Sequence, residues 1–115
     1  MKGEFLTLES AEALHKFGNI GREIEIIEHY GIDHQQRKLV EEVFELNQAI
    51  DFFEYTNNTN MFDLKEYKDH IVEELADVTL LLNQIRYFYN ITYDETQKVY
   101  EYKLNRTLNR MENER

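Results

Sequence analysis

Residues 38–46, with the sequence KLVEEVFEL, decide the fold class of this chain. Their apolar side chains recur at intervals of three and four residues, which is the spacing that places them on one face of an α-helix. Residues 70–78, HIVEELADV, repeat the same combination of apolar and acidic residues. The alternation of apolar and polar residues that predicts a strand is largely absent, so the two stretches predict an all-α fold.

Four helices are predicted to extend outward from these two stretches, over residues 10–30, 33–55, 63–89 and 92–111. Glycines at positions 18 and 21 weaken the middle of the first helix, and Gly31 is a typical C-cap. Asp33 is predicted to cap the second helix, and Thr92 with Glu95 predicts a capping box at the start of the fourth. Residues 56–60, TNNTN, are the predicted linker between the second and third helices, because all five are turn-forming polar residues.

The chain of 115 residues has the length of a single domain, with residues 1–20 as an N-terminal extension or part of the first helix. Its apolar fraction of 42% is enough for a core. The absence of cysteine excludes disulfides and thiolate chemistry. No apolar stretch approaches the roughly 18 residues of a membrane span, and the brief apolar run near the start is too short for a signal peptide. We therefore expect a cytoplasmic protein that has no membrane partner.

The formal net charge of −10 restricts the partners of the protein. A surface this acidic is repelled by the phosphate backbone of DNA and RNA, so no nucleic-acid polymer is expected to bind. A nucleotide is compatible with the same charge, because a divalent cation can lie between carboxylates and phosphates.

Two pairs of acidic residues lie one turn apart on the second and third predicted helices, namely Glu42 with Glu45 and Glu74 with Asp77. Each pair borders the apolar face of its helix, so packing of the two faces would bring both pairs to one cavity. Carboxylates held together repel one another and raise each other's pKa. A divalent cation such as Mg²⁺ takes oxygen ligands and would relieve this repulsion. Acidic clusters on helices are usually solvated surface, so it is their paired occurrence that favours a metal site.

The same residues resemble the motifs of a known family. Residues 41–45, EEVFE, and residues 74–77, ELAD, are similar to the EExxE and ExxD motifs of the MazG-like nucleoside triphosphate pyrophosphohydrolases, which are all-α NTP pyrophosphatases. Lys103 and Arg106 in the last predicted helix are similar to the closing basic element of that family. The resemblance covers residues 24–110.

The resemblance implies a four-helix protomer whose bundle is completed by homo-oligomerisation, as a homodimer or a homotetramer. It implies hydrolysis of a nucleoside triphosphate to the nucleoside monophosphate and pyrophosphate, as in the clearance of unwanted nucleotides. The cofactor would be Mg²⁺, for which Mn²⁺ could substitute, and its ligands would be Glu42, Glu45, Glu74 and Asp77. Glu41 would be a further ligand or the catalytic residue that orients and deprotonates the attacking water.

Four polar residues are candidates for binding the substrate, and each has a structural alternative. Lys103 and Arg106 share one face of the fourth predicted helix and could bind the β- and γ-phosphates, or could simply be cations that favour a helix C-terminus. Lys38 could contact a phosphate, although its position among the carboxylates indicates that it offsets their charge. Gln84 lies on the acidic face beyond Asp77, where a base or a sugar could reach it, or it is a polar residue at a helix boundary.

Two other classes of protein also place acidic residues on helices. A carboxylate-bridged di-iron bundle needs Glu-x-x-His sequences on two helices, and the chain has no such pair. A non-catalytic helical protein that regulates or binds a partner could keep the same fold, and Mg²⁺-dependent turnover would distinguish it from an enzyme. His34 and His70 flank the acidic motifs, but single histidines are more often structural and are not assigned to the site.

Overall fold

The computed structural model describes residues 18–59 and 64–115, and all regular structure within them is α-helical. The helices are α1 (Ile20–Tyr30), α2 (Ile32–Thr59), α3 (Leu64–Phe88) and α4 (Tyr93–Asn113). No strand occurs in these residues, so the all-α prediction is confirmed for the part of the chain that the structure describes.

Helix α1 is shorter than the first predicted helix. Asn19 is its N-cap, and the Asn19 side chain accepts a hydrogen bond of 3.2 Å from the backbone N–H of Arg22. Gly18 precedes the cap with a positive φ of 138°, so the predicted helix does not continue through this glycine. Residues 10–17 of that prediction lie outside the described residues. Gly31 is the predicted C-cap, with a φ of 87° that a residue with a side chain rarely adopts.

Helix α2 differs from its prediction at both ends. It begins at Ile32, so Asp33 lies in its first turn instead of capping it. It also continues to Thr59, through most of the stretch predicted as a linker, and that part of the prediction was wrong. Thr56 is buried and lies two turns beyond the buried Ala49 on the same face. Packing of this face extends the helix, because the weak helix propensity of Thr and Asn is easily outweighed by tertiary contacts.

The predictions for the last two helices agree with the structure to within two residues at the described ends. Helix α3 ends one residue before its predicted end. The capping box of α4 is present: Thr92 Oγ1 accepts a 3.1 Å hydrogen bond from the backbone N–H of Glu95, and Glu95 Oε2 accepts one of 2.7 Å from the backbone N–H of Thr92. This reciprocal pair fixes where α4 begins.

Helices α2 and α3 form the most extensive contact, and α1 packs mainly on α3 and less on α2. Helix α4 contains no buried residue and has no contact of comparable extent with the other described helices. The buried apolar residues among the described residues are only Ile27, Ala49 and Leu81. Large apolar residues on α2 are exposed instead, Phe44 by 62%. No helix among the described residues is long and apolar enough to cross a membrane.

Candidate metal centre

Packing of α2 on α3 brings three predicted metal ligands together. Glu42 and Glu45 are one turn apart on α2, and Glu74 faces them from α3. One carboxylate oxygen from each of the three lies within 4.8 Å of the others. This separation is short enough for one cation to contact all three residues.

Two of the three carboxylates are buried and incompletely hydrogen-bonded. Glu42 and Glu74 are each only 7% exposed. The Oε2 atoms of both residues are fully buried and, when both carboxylates are ionised, accept no hydrogen bond. Buried polar atoms without partners are rare and costly, so two at one place require an explanation. Glu45 is exposed and leaves the cluster open to solvent on one side.

The environment of Glu74 disfavours its charged form. Burial raises the pKa of Glu74 above its ordinary value of 4.5. A side-chain hydrogen bond with Glu42, which Glu74 can make only when it carries a proton, raises this pKa further, as do the negative charges of Glu45, Glu42 and Asp77. Asp77 does not belong to the cluster of three, but its charge acts on Glu74, and it lines a small cavity together with Glu42. The structure therefore places all four predicted ligands in one neighbourhood, with Asp77 at its edge.

Each buried glutamate has a basic neighbour at its other oxygen. Lys38 Nζ is 3.5 Å from Glu42 Oε1 and 3.7 Å from the exposed Glu41. Hydrogen bonding with Glu42 and the surrounding negative charge raise the pKa of Lys38. His70 Nε2 is 3.4 Å from Glu74 Oε1, an ion pair when the imidazole is protonated. These contacts engage the Oε1 atoms of Glu42 and Glu74 and leave their buried Oε2 atoms without a donor.

The donor set of the cluster suits a hard divalent cation. All the donors are carboxylate oxygens, which Mg²⁺ and Mn²⁺ prefer and which softer metals accept less readily. A cation held by Glu42 and Glu74 would supply the positive charge that these two buried carboxylates lack. Glu45 on the open side could complete a three-carboxylate set, with the remaining positions left to water or substrate oxygens.

Gln84 is more deeply buried than a residue that contacts substrate at the surface. It is 1% exposed, and both ends of its amide are hydrogen-bonded. Gln35 Nε2 donates to Gln84 Oε1 at 2.8 Å, and Gln84 Nε2 donates to the carbonyl oxygen of Leu80 at 3.0 Å. Gln84 nevertheless lines the cavity of about 140 Å³ that Glu42 and Asp77 also line. Its assignment to the substrate stays a prediction.

Lys103 and Arg106 are not joined to the acidic cluster within one protomer. Both are exposed on α4, which does not pack extensively against α2 or α3. Neither side chain forms an ion pair with a carboxylate of the cluster among the described residues. The Arg106 guanidinium lies 5.9 Å from the ring centroid of its neighbour Tyr102. The role of these two residues in phosphate binding therefore stays a prediction.

A second buried polar pair, on α1 and α3, was not predicted from the sequence. Glu23 is 3% exposed and Asn83 is 8% exposed, and Asn83 Nδ2 donates to Glu23 Oε2 at 2.8 Å. A sign was present in the sequence, since Glu23 is one turn before the buried Ile27 on the inward face of α1. Burial, the negative charge of Glu23 and a side-chain hydrogen bond with Glu23 raise the pKa of Tyr87.

Comparisons with known proteins return no match to a family model, to a curated protein or to a solved structure.

Proposed function

We propose that this protein is a Mg²⁺-dependent nucleoside triphosphate pyrophosphohydrolase of the MazG-like, all-α NTP pyrophosphatase type. The observation that carries the proposal is the pair of buried, unpartnered carboxylate oxygens of Glu42 and Glu74, with Glu45 close to both. Such an arrangement is costly in a metal-free protein and favourable around a divalent cation. Glu42, Glu45, Glu74 and Asp77 would hold the ion, with Mn²⁺ as an acceptable substitute for Mg²⁺.

The proposed reaction is attack of a water oxygen on the α-phosphorus of the triphosphate. A bond forms between that oxygen and the phosphorus, and the bond from the α-phosphorus to the α,β-bridging oxygen breaks. Pyrophosphate leaves with the bonding electron pair, and the water loses a proton. The bound metal ion would supply charge neutralisation and Lewis acidity, which is the main catalytic need of such transfers.

Two residues beside the cluster have assigned roles in this proposal. Glu41 is exposed next to the cluster and would accept the proton from the attacking water. Lys38 already neutralises part of the charge of Glu42 and Glu41, and it would exchange this contact for a phosphate oxygen when substrate binds.

The proposal includes a homodimer or a larger homo-oligomer located in the cytoplasm. Exposed apolar side chains on α2 support association, because Val40, Phe44 and Tyr55 lack intramolecular cover. Helix α4 supports association too, since its apolar residues Leu104 and Leu108 are about half exposed and α4 makes no extensive contact with the other described helices. A protomer with so few buried apolar residues gains stability when a second copy covers these faces.

Product analysis tests the proposed reaction. With Mg²⁺ and a panel of triphosphates, we expect a nucleoside monophosphate and pyrophosphate from at least one nucleotide. Asp77→Asn should lower turnover by several orders of magnitude, whereas Glu66→Gln, which changes an exposed acid on the same helix, should not. Lys103→Ala should cost about 10–100-fold, as expected for the loss of one charge-assisted contact. Release of orthophosphate and a diphosphate would contradict the proposal, as would full activity in Asp77→Asn.

A non-catalytic helical protein that binds a partner is the alternative function. The exposed apolar residues of α2 and α4 favour it, because a protein partner could cover them as well as a second copy could. The orphaned carboxylate oxygens are left unexplained by this alternative. Any Mg²⁺-dependent turnover that is lost in Asp77→Asn would exclude it.

A further inference from the structure

The buried face of α2 contains no large apolar residue among the described residues. Its buried residues recur every seven positions, and they are Gln35, Glu42, Ala49 and Thr56. The apolar residues beside this face also recur every seven positions and are only half-buried, namely Leu39, Leu46 and Phe53. Similar residues at a constant interval fit more than one axial alignment of two helices, so apolar packing alone specifies the register of α2 on α3 poorly.

A polar contact crosses from α2 to α3 near one end of their packing. Gln35 Nε2 donates a hydrogen bond of 2.8 Å to Gln84 Oε1. The two side chains, called the amide pair below, are 5% and 1% exposed. Separating them would leave a buried donor and a buried acceptor unsatisfied, which is costly. A buried polar contact of this kind can therefore specify one register between two helices.

Neighbouring groups fix the direction of this hydrogen bond. The carbonyl oxygen of Leu80 can only accept, so the end of the Gln84 amide that faces it at 3.0 Å is Nε2. Gln84 Oε1 then faces Gln35, which must donate from its own Nε2. Gln35 Oε1 lies 2.6 Å from His34 Nδ1, so that nitrogen carries a proton and donates it. Each amide is held at both ends, and neither is free to turn toward a different partner.

The amide pair lies at matching intervals from the predicted metal ligands on both helices. The two helices are antiparallel, because the pair joins the start of α2 to the end of α3. Counted from the pair, Glu42 lies seven residues along α2 and Asp77 seven residues back along α3. Glu45 and Glu74 lie ten residues away in the same two directions. A slip of one helical turn would displace the two halves by about 5 Å, as much as the whole 4.8 Å span of the cluster.

We propose that the amide pair positions the metal centre, because its hydrogen bond locks α2 and α3 in the register in which Glu42 and Glu74 meet. This inference rests on the metal site of the proposed function. The pair lines the same cavity of about 140 Å³ as Glu42 and Asp77, so it acts from directly beside the site. Repulsion between the carboxylates favours a slip that separates them, and the amide pair opposes that slip before a metal binds. Gln35 and Gln84 are therefore positioning residues, and neither needs to contact metal or substrate.

The test replaces the amide pair by apolar side chains of similar shape, in Gln35→Met/Gln84→Met, and measures the binding of Mn²⁺ alone by electron paramagnetic resonance. Replacing both partners leaves no unpaired group, so the variant should be about as stable as the wild type in a chelator. Its affinity for Mn²⁺ should fall about tenfold, because apparent affinity scales with the fraction of molecules in the aligned register. A role confined to folding would instead lower the stability and leave the affinity of the folded protein unchanged.

Three further variants serve as controls. Leu81→Met changes a buried apolar residue that lines the same cavity and forms no side-chain hydrogen bond, so it should keep the affinity for Mn²⁺. Gln84→Met alone leaves Gln35 Nε2 without its buried acceptor, so it should be less stable than the double variant. Gln35→Leu/Gln84→Leu replaces the double methionine variant if that protein does not fold.

Two outcomes would overturn this inference alone. Unchanged affinity for Mn²⁺ in the folded double variant would show that the helices keep their register without the amides. An equal loss in Leu81→Met would show that any repacking beside the cavity disturbs the site. Failure of the wild type to bind Mn²⁺ would reject the metal site and the proposed function, and the inference with them. Binding of Mn²⁺ without hydrolysis of any triphosphate would reject the proposed reaction and leave the positioning role standing.

Discussion

Replacement of Glu74 by Gln should have opposite effects on stability with and without Mg²⁺. In the metal-free protein, the Glu74 carboxylate is buried beside Glu42 and within reach of the charges of Glu45 and Asp77. A neutral amide of the same shape removes this repulsion, so Glu74→Gln should be at least as stable as the wild type in a chelator. With Mg²⁺, the wild type gains binding energy that the variant largely loses.

The size of the metal effect can be worked out. At a hundredfold excess over its dissociation constant, a ligand that binds only the folded state stabilises it by about 2.7 kcal/mol. For a chain of this length, that gain corresponds to a rise in Tm of about 10 °C. We expect a rise of this order in the wild type and in the matched control Glu66→Gln. In Glu74→Gln, most of the rise should be absent.

The dependence of folding stability on pH is an independent test of whether the Glu74 carboxylate destabilises the metal-free protein. A carboxyl group whose pKa is raised in the folded state contributes stability below its unfolded pKa and loses that contribution as the pH rises through the folded pKa. The ordinary pKa of the Glu74 carboxyl is 4.5. In the presence of a chelator, the wild type should therefore lose stability relative to Glu74→Gln as the pH rises above 4.5. Differential scanning fluorimetry at fixed protein concentration measures both effects. Equal Mg²⁺ shifts in wild type and Glu74→Gln would refute the assignment of the cluster as a metal site.

Two further predictions concern assembly and the last helix. Light scattering at micromolar concentration should find a particle larger than the 14.0 kDa protomer, and a wild-type particle of 14.0 kDa would contradict the predicted oligomer. Phe44→Ser should weaken association at least about tenfold, because a buried phenylalanine contributes about 1.5–3 kcal/mol. Thr92→Ala should destabilise the start of α4 by about 1 kcal/mol, which would be measured as faster hydrogen exchange of the backbone amides there. Thr92→Ser should retain the cap, and equal exchange in the two variants would show that the capping box is dispensable.

The sequence was sufficient to predict the elements whose signals are local. The period of the apolar residues predicted α2 and α3, and Thr92 with Glu95 predicted where α4 begins. The acidic cluster was predictable for the same reason, since two i,i+3 pairs on amphipathic helices converge once the apolar faces pack. The burial of Thr56 was not predictable, because its local residue types favour a turn and only the contacts of α2 extend the helix.

Features that depend on distant parts of the chain were not predictable. Glu23 and Asn83 are 60 residues apart, and neither belongs to a motif that would have paired them. The sequence pattern of α4 is amphipathic, but it does not say whether the apolar face packs inside the protomer or on another copy. The position of Lys103 and Arg106 relative to the carboxylates depends on that choice. For this reason the convergence of the carboxylates was predictable, and the position of Lys103 and Arg106 relative to them was not.

Globular proteins usually bury apolar side chains and expose charged ones. Helix α2 departs from this distribution on two of its faces. On the side that faces α3, α2 contributes Glu42 to a cluster of buried carboxylates, and on the other side it exposes Val40 and Phe44. Departures from local rules are expected where a protein functions, because binding compensates for them. In the proposed enzyme, a cation would offset the first departure and a second subunit the second, so both binding events would stabilise the same helix in one position. Oligomerisation would then order the metal ligands before substrate binds. The free energy gained by burying apolar side chains on the opposite face of α2 would partly offset the repulsion between the carboxylates.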